Sequence, residues 1–379
     1  MVVPFLPFFI RELGVKGDSE LATWSGLVYS GPFLTSFLAT PFWGSVGDRH
    51  GQKLMVVRAI FGLGIAQIFI GLSQNVYQLL LFRILQGVIS GFIASALALV
   101  STSTPKERMG YALGLLQSAT AGGVMLGPAV GGFLADVMGY RQIFLVTAAI
   151  CFVCGGVIIK MVVETPDEAT GESKPSVMQN FTLMLTDKRL RLIAVAIVLS
   201  QGAALMIEPI FALFIERFIS DTRYIATLTG LTISIAGVFM VISAPWWGKR
   251  NDQMGFKQNL IYSLSGTGIA YALHIFVPNL AMLTVLRAAL GFARGGTLHA
   301  LFSMTSLRSP PERRSGMIGI ASSFSVLGNL IGPLSGGIIA GNFGITAVLA
   351  VNSAVFLVTG AMIWKYYSES RGLETPPTG

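Results

Sequence analysis

The chain has 379 residues, of which 53% are hydrophobic and only 12% charged, against roughly 25% charged in a typical soluble domain. That balance excludes an ordinary soluble globule and a polar disordered chain. A net charge of +8 does not mark a nucleic-acid surface here, because the placement of Lys and Arg between apolar runs accounts for it.

The chain opens on Met1-Val-Val-Pro4-Phe-Leu-Pro7-Phe-Phe-Ile10, an apolar stretch that reaches Arg11 and Glu12 after about 15 Å of helical rise, half of a bilayer core. Complete spans are expected near 22–43, 54–73, 77–100, 111–134 and 143–163. A polar segment follows from Glu164 to about Leu190, with Pro166 and Pro175, in which Val177 to Leu185 carries apolar residues at helical spacing suited to a membrane surface. Six further spans are expected near 191–215, 225–247, 259–277, 280–302, 316–340 and 345–365, before a short polar tail. Long apolar runs without strict alternation exclude a β-barrel, so the expectation is an all-α membrane protein. Its parts are an N-terminal bundle over 1–163, a linker over 164–190, a C-terminal six-helix bundle over 191–367 and a tail over 368–379.

The two bundles repeat one another. At an offset of 204 residues, Pro41, Gly44, Asp48, Gly51 and Lys53 are answered by Pro245, Gly248, Asp252, Gly255 and Lys257, and Arg83 and Gly87 by Arg287 and Gly291. At 205, Gly123, Gly127, Pro128, Gly131 and Gly132 are answered by Gly328, Gly332, Pro333, Gly336 and Gly337. Met1, Pro4 and Ile10 align at the same offset with Met206, Pro209 and Ile215, so the first span is expected to be truncated relative to its second-half counterpart. Paired repeats in an apolar chain point to a transporter whose halves rock about a shared site.

Lys and Arg crowd one set of alternating loops, from Arg49 and Lys53 to Lys257, Arg313 and Arg314. The opposite set holds only Arg11, Lys16, Arg141, Arg217 and Arg223. The positive-inside rule then places the Asp48 and Asp252 loops and the carboxyl terminus in the cytoplasm.

Gly44-Ser-Val-Gly-Asp48-Arg49-His-Gly51-Gln-Lys53 resembles the loop signature of the major facilitator superfamily, with Gln52 standing where that family prefers a basic residue. Arg83-Ile-Leu-Gln86-Gly87 resembles its fourth-helix signature. Gly123-x-x-x-Gly127-Pro128-x-x-Gly131-Gly132 resembles the fifth-helix signature of its drug:proton antiporters, although the second half carries the same pattern. The resemblance implies two six-helix bundles with a truncated first helix, a bacterial cytoplasmic membrane location, and proton-driven export of apolar or amphipathic drugs by a monomer. It also implies that Gly44, Asp48, Arg49, Gly51, Lys53 and Asp252 form a cytoplasmic gate, and that helices one, four, seven and ten line the cavity.

An ionisable side chain within a membrane costs at least about 2.5 kcal/mol unless paired or hydrated, so such residues mark function. Glu208 is the one acidic residue deep within an expected span, and Arg83, Arg287 and Arg294 are the cations. Glu208, Arg83 and Arg287 fall at similar depths and are the candidates for proton coupling; the competing reading is a permanent Glu208-Arg287 ion pair. Arg287 and Arg294, seven residues apart, share a helix face suited to anionic groups or to a hydrated wall. Phe5, Phe8, Gln86, Met206, Phe211, Phe292 and Arg294 are the candidate cavity residues. His274 and His299 lack ligand-spaced partners, Cys151 and Cys154 sit in an apolar run, and no nucleotide-binding or hydrolase motif occurs. No metal or cofactor is expected beyond the proton gradient, and no enzyme activity. The alternatives to export are an uptake symporter or facilitator for a small polar solute, and a transport-dead fragment.

Overall fold

The computed structural model describes residues 1–89, 91–164, 177–219 and 222–367. The first repeat comprises α1 (Leu6–Glu12), α2 (Asp18–His50), α3 (Gln52–Gly71), α4 (Val76–Ile89), α5 (Phe92–Ser103), α6 (Met109–Met138) and α7 (Tyr140–Met161). Helix α8 (Val177–Thr186) follows, and the second repeat comprises α9 (Lys188–Met206), α10 (Phe211–Glu216), α11 (Ile225–Met254), α12 (Phe256–His274), α13 (Leu280–Arg294), α14 (Thr297–Arg308), α15 (Arg314–Phe343) and α16 (Ile345–Tyr366). Residues 165–176 of the expected linker, and the tail, lie outside the described residues. Within the linker, α8 buries Asn180 and Met184 and leaves Val177, Met178, Phe181 and Leu185 exposed.

The duplication holds element by element. A one-turn 3-10 helix at Val3–Phe5 with Pro4 precedes α1, and its counterpart at Glu208–Ile210 with Pro209 precedes α10. Each proline removes a backbone donor and favours a break. The α9 helix is the element of the second repeat without a counterpart in the first.

Among the described residues, seven stretches are long and apolar enough by themselves to cross a membrane: Gln52–Gly71, Met109–Met138, Tyr140–Met161, Lys188–Glu216, Ile225–Met254, Pro311–Phe343 and Ile345–Tyr366. The other four expected spans depart from that standard for identifiable reasons. The 22–43 stretch is part of a 33-residue helix that carries Ser25, Ser30 and Thr35, whose hydroxyls bond to backbone carbonyls within the bundle. The 259–277 stretch, in α12, buries Asn259, Ser263 and Thr267. Helices enclosed by protein tolerate polar groups that lipid would reject.

The remaining two spans are each broken at equivalent places. The 77–100 stretch divides into α4 and α5 ahead of Gly91, whose φ of 114° falls where a side chain is strained. The 280–302 stretch divides into α13 and α14 around Gly295, the residue 204 positions later. An interrupted helix leaves carbonyls without their backbone donors. Trp43 donates its indole N–H to Val88 O at 2.7 Å, and Trp247 donates to Phe292 O at 2.6 Å, so each repeat satisfies the same freed carbonyl with the same residue type.

The repeats meet through α6 against α11 and through α2 against α15. Gly132 packs against the Ala226 carbonyl and Gly230 against that of Pro128; in the mirrored pair, Gly337 packs against Ala22 and Gly26 against Pro333. A Cβ at any of these four glycines would overlap backbone, so bare Cα atoms are what permit the approach. Toward the signature loops, Gly110, Gly114, Gly122, Gly123 and Gly319 have no neighbour within 4 Å of where a Cβ would stand. The bundles are therefore closed at the end bearing Arg11 and Glu216 and parted at the end bearing the signature loops.

Candidate functional site: a central cavity and its two gates

A cavity of about 500 Å³ lies between the repeats. Its charged lining residues are Glu208, Arg287 and Arg294, and Tyr29 joins them. Most of the rest of the wall is aliphatic, with Val124, Leu205, Ile233, Met240 and Leu290 among its members. Glu208 opens the 3-10 helix that follows α9. Its equivalent in the first repeat is Val3, which lines the same cavity. One repeat thus supplies a carboxylate where the other supplies a methyl-bearing side chain.

Arg287 is buried, and its guanidinium carbon stands 3.3 Å from the centroid of the Phe211 ring, a stacking geometry that suits a desolvated arginine. Its Nε has no hydrogen-bond partner among the described residues. Arg294 closes α13, where the helix dipole favours a cation. Among the described residues, neither arginine forms an ion pair with Glu208, so the permanent Glu208-Arg287 pair is not the arrangement adopted.

Arg83 does not line this cavity. It is buried and directs Nε to Val28 O at 3.1 Å and one terminal nitrogen to Gln86 Oε1 at 2.7 Å, tying α4 to α2. The expected trio is therefore divided: Glu208 and Arg287 share the cavity, and Arg83 is held in the contact between α4 and α2. Among the candidate cavity residues, Arg294 lines the wall and the others pack elsewhere. Phe5 is buried in the core, Phe8 faces Tyr140 at the closed end, and Gln86 holds Arg83. Met206 abuts Gly336, Phe211 lies under Arg287, and Phe292 meets Trp246 at a tilt. Tyr29 was not among the residues expected there. The available signal was its repeat equivalence to Ile233, which lines the cavity opposite it.

At the parted end, Gly51 adopts a φ of 95° and starts α3. Its bare Cα leaves room for the Glu164 carboxylate, which accepts Gln52 N–H at 2.5 Å and Lys53 N–H at 3.0 Å. A carboxylate at these first-turn amides satisfies orphan donors and opposes the helix dipole favourably. Lys53 Nζ donates to Ile159 O at 3.0 Å, a second tie from α3 to α7. Gly44 has open space around it, and Arg49 and Asp252 are exposed. The side chain of Asp48 lies outside the described atoms.

Among the described residues, three polar contacts join the repeats. Arg11 donates both terminal nitrogens to Glu216, at 2.7 and 2.8 Å, and this pairing raises the proton affinity of the Arg11 guanidinium. Asp136, near the end of α6, accepts Ala226 N–H at 3.2 Å, Thr227 N–H at 2.7 Å and the Thr227 hydroxyl at 2.6 Å; it caps α11 from the other repeat. Ser234 Oγ accepts Ala129 N–H at 3.1 Å. Of the fifth-helix glycines, Gly132 is closely packed at this seam, Gly127 and Gly131 lie against Met1, and Gly123 faces the cavity.

The Major Facilitator Superfamily model matches residues 1–223 and 210–379 of the chain. Multidrug resistance protein MdtG of Escherichia coli (strain K12 / DH10B) is 34% identical over 364 residues, covering 96% of this chain and 89% of that protein; MdtG of Escherichia coli (strain SMS-3-5 / SECEC) shows the same identity and coverage. Among solved structures, a mutant of the nucleoside transporter NupG superposes with a TM-score of 0.79 at 14% identity, covering 97% of this chain and 95% of that one. A D-xylose-proton symporter superposes with a TM-score of 0.74 at 15% identity, covering 98% and 93%. Such membership makes it a multi-pass membrane transporter and not an enzyme. With its two helical repeats, its signature loops and a family match across its length, the chain belongs to the major facilitator superfamily.

Proposed function

We propose that this transporter exports amphipathic, drug-like molecules from the cytoplasm in exchange for protons, by alternating access, across the bacterial cytoplasmic membrane. The observation that carries the reading is Glu208, the single acidic side chain among the described residues on the wall of a mostly aliphatic cavity between the repeats. The similarity to MdtG supports drugs as cargo, and the concentration of Lys and Arg at the signature-loop end supports a cytoplasmic placement of that end and of the carboxyl terminus. The domain division at the 164–190 linker follows from the same reading.

In this arrangement the structure is the inward-open state, and cargo enters between the parted ends of α6, α15, α2 and α11. Reorientation exchanges the glycine seams at the outer end for contacts among the signature loops. A proton arriving from outside at Glu208 neutralises the carboxylate and lowers the cost of moving it through a dry intermediate. Release to the cytoplasm restores the charge before the next cargo binds. The central test is drug-dependent dissipation of an acid-inside gradient in inverted vesicles. Drug-triggered proton movement with the native chain, absent with Glu208→Gln in correctly inserted protein, is expected. Unchanged proton flux in Glu208→Gln would remove Glu208 from the cycle, and gradient-driven accumulation of a polar solute in right-side-out cells would favour uptake.

A further inference from the structure

We infer that the groove between α9 and α16 holds an anionic phospholipid of the surrounding bilayer, with its phosphate on Lys188 and Arg191. The groove encloses about 340 Å³ and is lined by Lys188, Arg191, Leu192, Val195, Met362 and Tyr366; it shares no lining residue with the central cavity. Lys188, Arg191, Leu192 and Val195 follow one another at helical spacing and form a single face of α9. Met362 and Tyr366, one turn apart on α16, form the strip that faces it.

The chain direction orders these groups by depth. Glu216, where α10 ends, and Ile345, where α16 begins, share a pocket at the closed end, so Lys188 and Tyr366 stand at the opposite end of the bundle, level with the signature loops. From Arg191 to Val195 the helix rises about 6 Å toward the bilayer centre. The groove is therefore cationic at its mouth and aliphatic below, the order in which a phospholipid presents phosphate and acyl chain. Trp364 and Tyr366 are 69% and 64% exposed, and aromatic rings at a helix end mark the headgroup level. Helix α8 turns Val177, Met178, Phe181 and Leu185 outward beside this end, as a helix lying in the same interface does.

Charge names the occupant. Among the described residues, no acidic side chain lines the groove, and Lys188 forms no hydrogen bond or ion pair. Arg191 spends one terminal nitrogen on Leu185 O at 3.2 Å, and its remaining N–H groups suit a phosphate. The nearby Asp187 carboxylate does not neutralise them, because it accepts Arg189 N–H at 2.8 Å and Leu190 N–H at 2.9 Å as the cap of α9. A basic pocket between helix ends at the headgroup level is the form that anionic lipid sites take. A free phosphate would leave the aliphatic half of the groove without a partner, and Val195, 42% exposed, already opens it to acyl chains.

The test uses the whole chain in phosphatidylcholine nanodiscs containing a trace of phosphatidylglycerol with a photoactivatable diazirine high on one acyl chain. Adducts are mapped by peptide mass spectrometry. Labelling should concentrate on the 188–195 and 362–366 segments, fall when unlabelled phosphatidylglycerol is added, and be far weaker with a phosphatidylcholine carrying the same diazirine. Lys188→Gln and Arg191→Gln should each lower it about fivefold, as for one cation near a membrane surface, and Arg191→Lys should retain most of it. Lys160→Gln, which removes a cation from the last turn of α7, should leave it unchanged. Arg191 also holds α8, so Lys188→Gln decides if Arg191→Gln fails to fold. Equal labelling by the two lipids, labelling unchanged in Lys188→Gln, or an equal loss in Lys160→Gln would overturn the assignment. Displacement by inorganic phosphate would make the occupant a soluble anion and overturn it as well. The readout involves neither drug nor proton, so it stands or falls apart from the export reading.

Discussion

Arg11 and Glu216 occupy equivalent positions of the two repeats, 205 residues apart, and bind each other in a bidentate ion pair. A position on the axis that relates two copies necessarily faces its own counterpart. Duplication of one residue type there would have set like charges together; the opposite signs turn a repulsive contact into a clasp at the closed end. Both side chains are partly exposed, and such pairs contribute about 0.2–1 kcal/mol. Arg11→Ala is therefore expected to shift the population toward a state open at this end by up to about fivefold, read as faster labelling of a single cysteine placed at Ala22. Arg11→Glu with Glu216→Arg should restore the wild-type rate; a double variant as open as Arg11→Ala would show that the pair does not hold this end.

Asp136 should matter more than that clasp, because it satisfies two backbone donors and one hydroxyl of a helix in the other repeat. Loss of a capping side chain costs about 0.5–2 kcal/mol. Asp136→Ala is expected to open the closed end by roughly twofold to thirtyfold, with Thr227→Val giving part of that effect. Distances between spin labels at the starts of α2 and α11 measure it. An unchanged distance distribution would reduce Asp136 to a local contact.

The fifth-helix glycines separate into two kinds that substitution should distinguish. Gly132→Ala places a methyl group against the Ala226 carbonyl, and Gly123→Ala places one in open space. The first should force the seam apart and abolish or strongly reduce drug resistance at normal membrane abundance, with a cost in the range of about 1–3 kcal/mol for overpacking. The second should leave resistance within about twofold, consistent with the small effects of substitutions that meet no packing. Equal sensitivity of both positions would argue for a role of the motif other than close approach.

Much of the fold was legible because a duplication copies contacts as well as residues. Once Gly132 and Gly337 were paired by their spacing, the seams they form with Ala226 and Ala22 were two instances of one arrangement. The broken fourth helices escaped notice because apolar residues continue through Gly91 and Gly295, and composition does not register where a backbone ladder is interrupted. The cavity was only partly legible. Glu208, Arg287 and Arg294 stood out because charge is rare in lipid, whereas Phe8, Phe211 and Phe292 have the same composition whether they face a cargo or a neighbouring ring. Asp136 and Glu164 looked like loop residues: each caps a helix distant in sequence, so no local spacing announces it. Tyr29 lay in a span rich in Ser, Thr and Gly, with no charge to mark its depth.

The indole bonds at the interrupted helices bear on how the molecule bends. Were α4 and α5 to straighten into one rod, Val88 O would regain a main-chain donor and the Trp43 indole would lose its acceptor; Trp247 and Phe292 stand in the same relation. Bent and straight forms then differ by the identity of a donor and not by the number of bonds, which keeps the two nearly isoenergetic at that point. Each copy carries such a donor-exchanging joint between its two helical segments, so either could straighten without leaving a carbonyl stranded in oil.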